Sequence, residues 1–455
     1  MPTPQFPFRH FQGSGTSPPF LCLGLFYFQA RPHIDIGSKS AIPIGAMIFK
    51  TSSVIHPSKP RFLNDLYIKK FVLPALSLLV LLASNGCSKN SETNTSGAGD
   101  GDSLLIGEIA PMTGSEATFG VSTHRGIELA FEQINGSGGI KGKKLKLQTM
   151  DNQGKTDEAA LAATKLITQS KVIAILAEPT SGRTLAIAPL AQRYKIPLIS
   201  SSATNPRVTE VGDYIFRVCF IDPFQGPVIS RFIYATKHLK NIAILTDMKS
   251  DYSVSLSEIF ESHFKNQGGK IVAKQSYAAG DVDFKAQLTA LRNDKPDGIF
   301  IPGYYTEVGL IARQAKELGI TVPLFGGDGW DSPKLAEIAG ASINGSFFAN
   351  HYSADDPSPV TQQFIKDYKS RYGDIPDGMA AMGFDSAQVL AQALKRAENF
   401  SGDAIRASLA STKDHSGVTG TFSMDANRNP SKSAVMLEVQ NGKFNFIAKI
   451  SPKDL

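Results

Sequence analysis

VIAILAEPTSGRT, Val172 to Thr184, decides how this chain is read. The apolar run VIAIL (Val172–Leu176) reads as a buried strand, EPTSGRT (Glu178–Thr184) as a turn, and a helical pattern follows. The arrangement is echoed a short way on, where IPLI (Ile196–Ile199) runs into SSSATNP (Ser200–Pro206) and again into a helical pattern. Short hydroxyl side chains at a strand-to-helix junction have two readings. Unpaired amides and the helix dipole make such a junction an anion site, to which Ser and Thr add donors without charge. The same residues also serve as ordinary helix N-caps. The two loops by themselves leave both readings open.

Working outward, strand and helix patterns alternate. LLIGEIA (Leu104–Ala110) is a strand, Thr123–Ile134 an amphipathic helix, LKLQTMD (Leu145–Asp151) a strand and Thr156–Gln169 a helix; YIFRVCF (Tyr214–Phe220) closes a first series after the two loops above. A second series pairs NIAILTD (Asn241–Asp247) with the helix Ser253–Asn266, and KIVAKQSYA (Lys270–Ala278) with Phe284–Asn293. DGIFIPGYY (Asp297–Tyr305) then leads into Glu307–Leu318, and VPLFGGDGW (Val322–Trp330) into Ser332–Ala339, with Ser332 and Pro333 as cap and first helical residue. Such alternation predicts an α/β fold with parallel sheets covered by helices, and two series predict two lobes. The remainder, with helices Val360–Tyr372 and Met379–Asn399 and short strands near Gly420–Phe422 and Ser433–Val439, is too small for a third domain. It is expected to complete the first two.

At 455 residues and a formal charge of +6, the chain is long enough for two or three domains, and its charge is unevenly placed. The first 87 residues carry Arg9, Arg31, Lys39, Lys50, Lys59, Arg61, Lys69 and Lys70 against Asp35 and Asp65. Of the chain's 47 basic and 41 acidic residues this leaves 39 of each from Ser88 onward. The folded part therefore has no basic excess to suggest nucleic-acid binding. Lys69-Lys70, the apolar core Phe71–Ala83 and the small residues before Cys87 have the form of a secretory signal, too short to span a bilayer. They resemble a bacterial lipobox, with Cys87 the lipidated residue, although Ser84 stands where leucine is usual. Residues 1–60 have no clear period, and translation is expected to begin near Leu66. Residues 88–102 read as a flexible tether.

Several chemistries find no motif. Cys22, Cys87 and Cys219 form no C-x-x-C pair, and neither a zinc site nor a disulfide framework is expected. GSGG (Gly136–Gly139) follows a helix rather than a strand and so reads as a C-cap and turn, not a dinucleotide loop. There is no phosphate-binding loop, G-x-S-x-G elbow or H-E-x-x-H, and Ser181 has no histidine near it in sequence. An enzyme is not expected, and no metal or cofactor.

The ordered set IGEIAPMTGSEATFG (Ile106–Gly120), ELAFEQINGSGGIKGKKLKL (Glu128–Leu147), DNQ (Asp151–Gln153), EPTSGRT, SSSATNP, FRVCFIDPFQG (Phe216–Gly226), DYS (Asp251–Ser253), IPGYY (Ile301–Tyr305) and GGDGW (Gly326–Trp330) resembles the periplasmic branched-chain amino-acid-binding proteins of ABC transporters. The resemblance runs from Ser103 to the C-terminus. It implies a type I periplasmic-binding-protein fold: two Rossmann-like lobes with parallel sheets, joined by three crossing strands near Asp222, near His351 and near Asp425–Pro430. Lobe 1 would comprise residues 103–222 and 351–427, and lobe 2 residues 223–350 and 428–455. Ligand would bind in the cleft, enclosed by hinge closure.

Residue by residue, the resemblance puts Ser181 and Thr204 at hydroxyls that receive the ligand carboxylate, with Ser202, Pro179 and Thr180 alongside. Asp328 and Tyr304 fall at the ammonium site, where a carboxylate beside an aromatic face suits a cation. Tyr252 and Phe119 match aromatics of the second and first lobes. Trp330, the only tryptophan, reads as a pocket wall or as packing beneath its loop, and Phe384 as core. Two departures stand out. Gly154 and Thr180 occupy regions where some relatives carry a cysteine pair, and Asp328 replaces a longer glutamate. The implied function is extracytoplasmic capture of a free amino acid, branched-chain or otherwise apolar, by a lipid-anchored monomer that serves an ABC permease and its ATPase. The alternatives are an amide, urea or aromatic acid as ligand, or a sensing subunit.

Overall fold

The computed structural model describes residues 101–455; the leader, Cys87 and nearly all of the tether lie outside the described residues. The first series of elements is β1 (Ser103–Ala110), α1 (Ala117–Gly136), β2 (Lys144–Asp151), α2 (Thr156–Lys165), β3 (Ala174–Ala177), α3 (Ser181–Arg193), β4 (Leu198–Ser200), the single-turn α4 (Arg207–Glu210) and β5 (Ile215–Arg217). Its strands form one sheet in the order β2-β1-β3-β4-β5, parallel throughout. Along β3 alternate side chains enter different cores. Ala174 and Leu176 join the cluster under α1, whereas Ile175 and Ala177 join the one under α2 and α3. That is why the run is apolar on both faces, as a covered parallel strand must be.

The second series is α5 (Asp222–Arg231), β6 (Asn241–Asp247), α6 (Asp251–Asn266), β7 (Lys270–Tyr277), α7 (Lys285–Asn293), β8 (Gly298–Phe300), α8 (Tyr305–Glu317), β9 (Leu324–Gly326), α9 (Pro333–Ala339) and β10 (Ser346–Asn350). The chain then supplies α10 (Pro359–Tyr372), α11 (Gly378–Arg396), α12 (Gly402–Ala410), the small hairpin β11 (His415–Gly417) and β12 (Gly420–Phe422), and finally β13 (Ala434–Gln440) and β14 (Lys443–Ile450). The second sheet runs β14-β13-β10-β9-β8-β6-β7. Its first-built part is parallel, but β13 lies antiparallel to β10 and to β14. The expected parallel sheets are present, and the antiparallel pair β13 and β14 is an addition at one edge of the second. A tight turn at Asn441 and Gly442, both at positive φ, folds β14 back on β13 as a two-residue hairpin.

The C-terminal segments do complete the two series. Helix α11 lies on α1 so closely that a Cβ on Gly126 would come within 2.0 Å of the Ala380 carbonyl oxygen, and one on Gly383 within 2.3 Å of the Thr123 oxygen. Only glycine permits that approach at the two crossing points. The apolar face of α11 (Ala380, Ala381, Phe384, Ala387) thereby enters the first lobe's core.

Both sheets change winding direction beside a central strand: β1 lies between β2 and β3, and β6 between β7 and β8. Crevices of open α/β sheets form at such switch points, beyond the C-terminal strand ends. Just beyond the strand ends, the starts of α1 and α3 carry Phe119 and Ser181, and the start of α6 and the residue before α8 carry Tyr252 and Tyr304. Hydrogen bonds join the two series of elements here. The Thr118 amide donates to the Tyr305 hydroxyl (3.2 Å), the Thr118 and Ser332 hydroxyls meet at 2.8 Å, and Asn205 Nδ2 donates to the Asp251 carbonyl (2.9 Å).

Candidate functional site

Between the strand ends of the two series lies a small cavity, lined by Phe119, Pro179, Thr180, Ser181, Ser202, Tyr252, Tyr304, Asp328, Gly329 and Met379. One wall is aromatic. Tyr252 and Tyr304 stack at 5.4 Å with an interplanar angle of 11°, and Phe119 meets Tyr304 edge-on at 5.8 Å. Two faces with their negative quadrupoles and one carboxylate, Asp328, make this part of the cavity suited to a cation.

The opposite end is made by EPTSGRT, and its charged residues are spent on the loop itself. Glu178 is fully buried and accepts from the Thr180 amide and hydroxyl (both 2.6 Å) and from Arg183 Nε (2.7 Å). Arg183 also reaches Glu116 (3.2 Å) and the Gly154 carbonyl (3.0 Å). Burial works against its charge, but Glu178 and Glu116 outweigh it and hold the guanidinium protonated. The loop is fixed before any ligand arrives. Helix α3 then starts at Ser181 with no side-chain cap: Thr180 has the extended backbone usual for a cap residue (φ −96°, ψ 148°), but its hydroxyl is turned to Glu178. Of the two readings of this junction, the N-cap reading fails and the open amide end remains. SSSATNP differs. It leads into a single turn rather than a long helix, and its part is to carry Ser202 to the cavity, where the hydroxyl donates to the Pro179 carbonyl (3.0 Å).

Two expected residues lie elsewhere. Thr204 does not line the cavity; its carbonyl accepts from the Asp222 amide (3.0 Å). Trp330 is completely buried beneath the loop, its indole N–H donating to the Ile301 carbonyl (3.0 Å), so its place is packing. Conversely, Met379 and Gly329 line the cavity without having been anticipated, and Gln225 and His351 hold Asp328. Gln225 Nε2 donates to Oδ1 (2.7 Å), and His351 Nε2 stands 3.2 Å from Oδ2.

Near the cavity stand two carboxyls from different elements, the buried Asp331 after β9 and the half-buried Asp377 capping α11. The Gly378 amide donates to Asp331 (2.6 Å) and the Ser122 hydroxyl to Asp377 (2.6 Å). Burial raises the pKa of both, and Asp377 raises that of Asp331 further. Burial likewise pushes Asp222 up to about 7. A carboxyl with a raised folded-state pKa stabilises the fold in its protonated form. That contribution is complete below the ordinary carboxyl range, about pH 4, and is lost as pH climbs through the folded value. The protein is therefore expected to lose stability between pH 5 and 8. Asp331→Asn, which keeps the acceptor for Gly378, should flatten the decline without removing the part due to Asp222. Urea unfolding at several pH values would measure it; parallel curves for variant and wild type would reject the assignment.

A family profile described as periplasmic binding protein matches residues 103–443. An amino acid binding protein of Pseudomonas aeruginosa is 31% identical over 301 residues, covering 65% of this chain and 79% of that protein. The crystal structure of a leucine-binding protein, LivK, from Thermotoga maritima superposes with a TM-score of 0.75 at 39% identity, over 77% of this chain and all of that one. LivJ of Streptococcus pneumoniae, a branched-chain amino acid transporter substrate-binding protein solved with isoleucine, gives 0.72 at 37% identity, over 76% of this chain and 99% of that one.

Proposed function

The chain belongs to the periplasmic binding protein family, and on that premise we propose that it captures a free apolar amino acid in the cavity between Ser181 and Asp328. It is a solute-binding protein and not an enzyme, and it works outside the cytoplasm with an ABC permease and ATPase. One observation carries the ligand class. An uncapped helix start at Ser181 and the Asp328 carboxylate face one cavity from opposite series of elements, with an aromatic wall between. Such a site has a place for each end of a zwitterion. The relatives named for leucine and solved with isoleucine support an aliphatic side chain.

We assign Ser181, Ser202, Pro179 and Thr180 to the carboxylate end, and Asp328, Tyr304, Tyr252 and Phe119 to the ammonium and side-chain region. Residues 103–222 with 351–427 form the first lobe and 223–350 with 428–455 the second, so ligand contacts on both drive closure. Lipidation at Cys87 would tether a monomer to the membrane surface. No helix among the described residues is long and apolar enough to cross a membrane.

A thermal-shift comparison tests the ligand class. Leucine, isoleucine and valine at 100 times their Kd should each add about 2.7 kcal/mol of stability and raise Tm clearly. Leucinamide, which lacks the carboxylate, and benzoate, which lacks the ammonium, should not. A shift with the amide or benzoate but none with the amino acids would replace this reading with one of a neutral or purely anionic ligand.

A further inference from the structure

Asp328 is held by side chains that come from neither its own loop nor the cavity wall. Gln225 lies in α5, three residues after Asp222 where the chain leaves the first lobe, and is fully buried. His351 directly follows β10, where the chain returns, and is 3% exposed. Each approaches a different carboxylate oxygen, at 2.7 and 3.2 Å. The fit is tight: a Cβ on Gly327 would come within 2.9 Å of Gln225 Nε2. His351 is fixed further, its ring 3.7 Å from that of Phe220 and its amide donating to Asn350 Oδ1 (2.8 Å).

Resting on the reading that Asp328 receives a ligand ammonium, we propose that Gln225 and His351 are positioning residues. They aim this carboxylate with neutral donors and so set the preference for ligands that carry an ammonium group. A carboxylate can accept about four hydrogen bonds. Two go to Gln225 and His351, which leaves acceptor capacity toward the cavity that Asp328 lines. An amide donor brings no charge, and a neutral imidazole brings none either. An arginine or lysine in their place would pair with Asp328 and cancel the charge the ligand needs. His351 Nδ1 is buried without a hydrogen-bond partner, which fits a neutral ring with its proton on Nε2. Burial lowers the His351 pKa, with Asp328 acting the other way and Lys432 reinforcing burial. Each donor stands where the chain passes between lobes, so the ammonium site is fastened to the hinge rather than to a free loop.

Titration calorimetry with two probes, L-leucine and its deaminated counterpart 4-methylpentanoate, tests the proposal. Wild type should prefer leucine strongly. His351→Leu and Gln225→Leu should each reduce the ratio of the two affinities tenfold or more, chiefly by weakening leucine, and His351→Gln, which restores an uncharged donor, should recover most of it. Equal weakening of both probes would make the two residues merely structural and overturn the proposal, as would an unchanged ratio. Should one leucine variant fail to fold, the comparison of wild type with His351→Gln and His351→Asn applies the same criterion: the glutamine, whose amide reaches the Nε2 position, keeps the ratio and the shorter asparagine loses it. A wild type with no preference for leucine overturns the ammonium reading itself, a failure distinct from that of the positioning pair.

Discussion

Asp328→Asn should weaken binding of a free apolar amino acid by roughly 100-fold or more while costing the fold about 1–3 kcal/mol. On the proposed reading a ligand ammonium leaves water here, and the Asp328 carboxylate is the only acidic side chain that lines the cavity among the described residues. Removing one partner of a buried charge pair typically costs about 3–5 kcal/mol, because the other charge stays buried without compensation. A charge-assisted hydrogen bond alone accounts for about 1.5–3 kcal/mol, and 2.7 kcal/mol is about a hundredfold in Kd. The free protein pays less. Asparagine has nearly the same shape and keeps one acceptor for Gln225, but donating to the His351 ring moves that ring's proton to Nδ1, which has no partner. A buried unpaired donor costs about 1–3 kcal/mol. Calorimetry and urea unfolding on the same preparation would separate the two quantities. Leucine affinity within tenfold of wild type would remove Asp328 from the ammonium site.

The parts of this molecule that could be read from sequence are those in which a local pattern meets a local cause. The runs at Ile175 and Ile244 are apolar because each strand is covered on both faces, and their lengths marked them as strands. Ser332 was legible as a cap, and its hydroxyl does accept from the Lys334 amide (3.2 Å). Where local signals conflicted, reading failed. Helix α5 holds Gly226 and Pro227, both poor helix formers, so its sequence does not read as a helix. Strand β14 gives no clean alternation because most of its residues are exposed, and only Asn441-Gly442 points to the hairpin.

In the site, residue types near the motifs could be placed, but those that reach it from afar could not. Gln225 meets Asp328 across 103 positions and Met379 meets Ser202 across 177. No periodicity encodes such a contact; it follows from the strand order. Thr204 and Trp330 show the opposite limit. Both lie within the right loops, and the direction of each side chain is set by burial, which a motif does not state.

Trp330→Ala should cost about 3–5 kcal/mol of stability, the usual range for emptying a large aromatic site. That is a fifth or more of what holds a typical domain folded. Three features of the packing argue for it. The side chain is wholly buried, its ring lies 6.1 Å from Phe348, and a Cβ on Gly326 would come within 2.1 Å of the indole. The surrounding backbone has been shaped to this ring, so little collapse can fill the space. The Ile301 carbonyl would also lose the indole donor and keep only the Gly303 amide (2.9 Å). Trp330→Phe should cost less, about 1–3 kcal/mol, since it keeps most of the volume and loses the N–H. Binding should suffer only indirectly. The turn that carries Asp328 is closed by the Trp330 amide on Gly327 (3.1 Å) and the Asp331 amide on Asp328 (3.1 Å), and a void beneath it lets the carboxylate wander. The pattern is thus the reverse of that for Asp328→Asn, with stability falling first and affinity following in proportion. A Trp330→Ala protein that unfolds at the wild-type urea concentration yet no longer binds leucine would return Trp330 to the cavity wall and refute its assignment to the core.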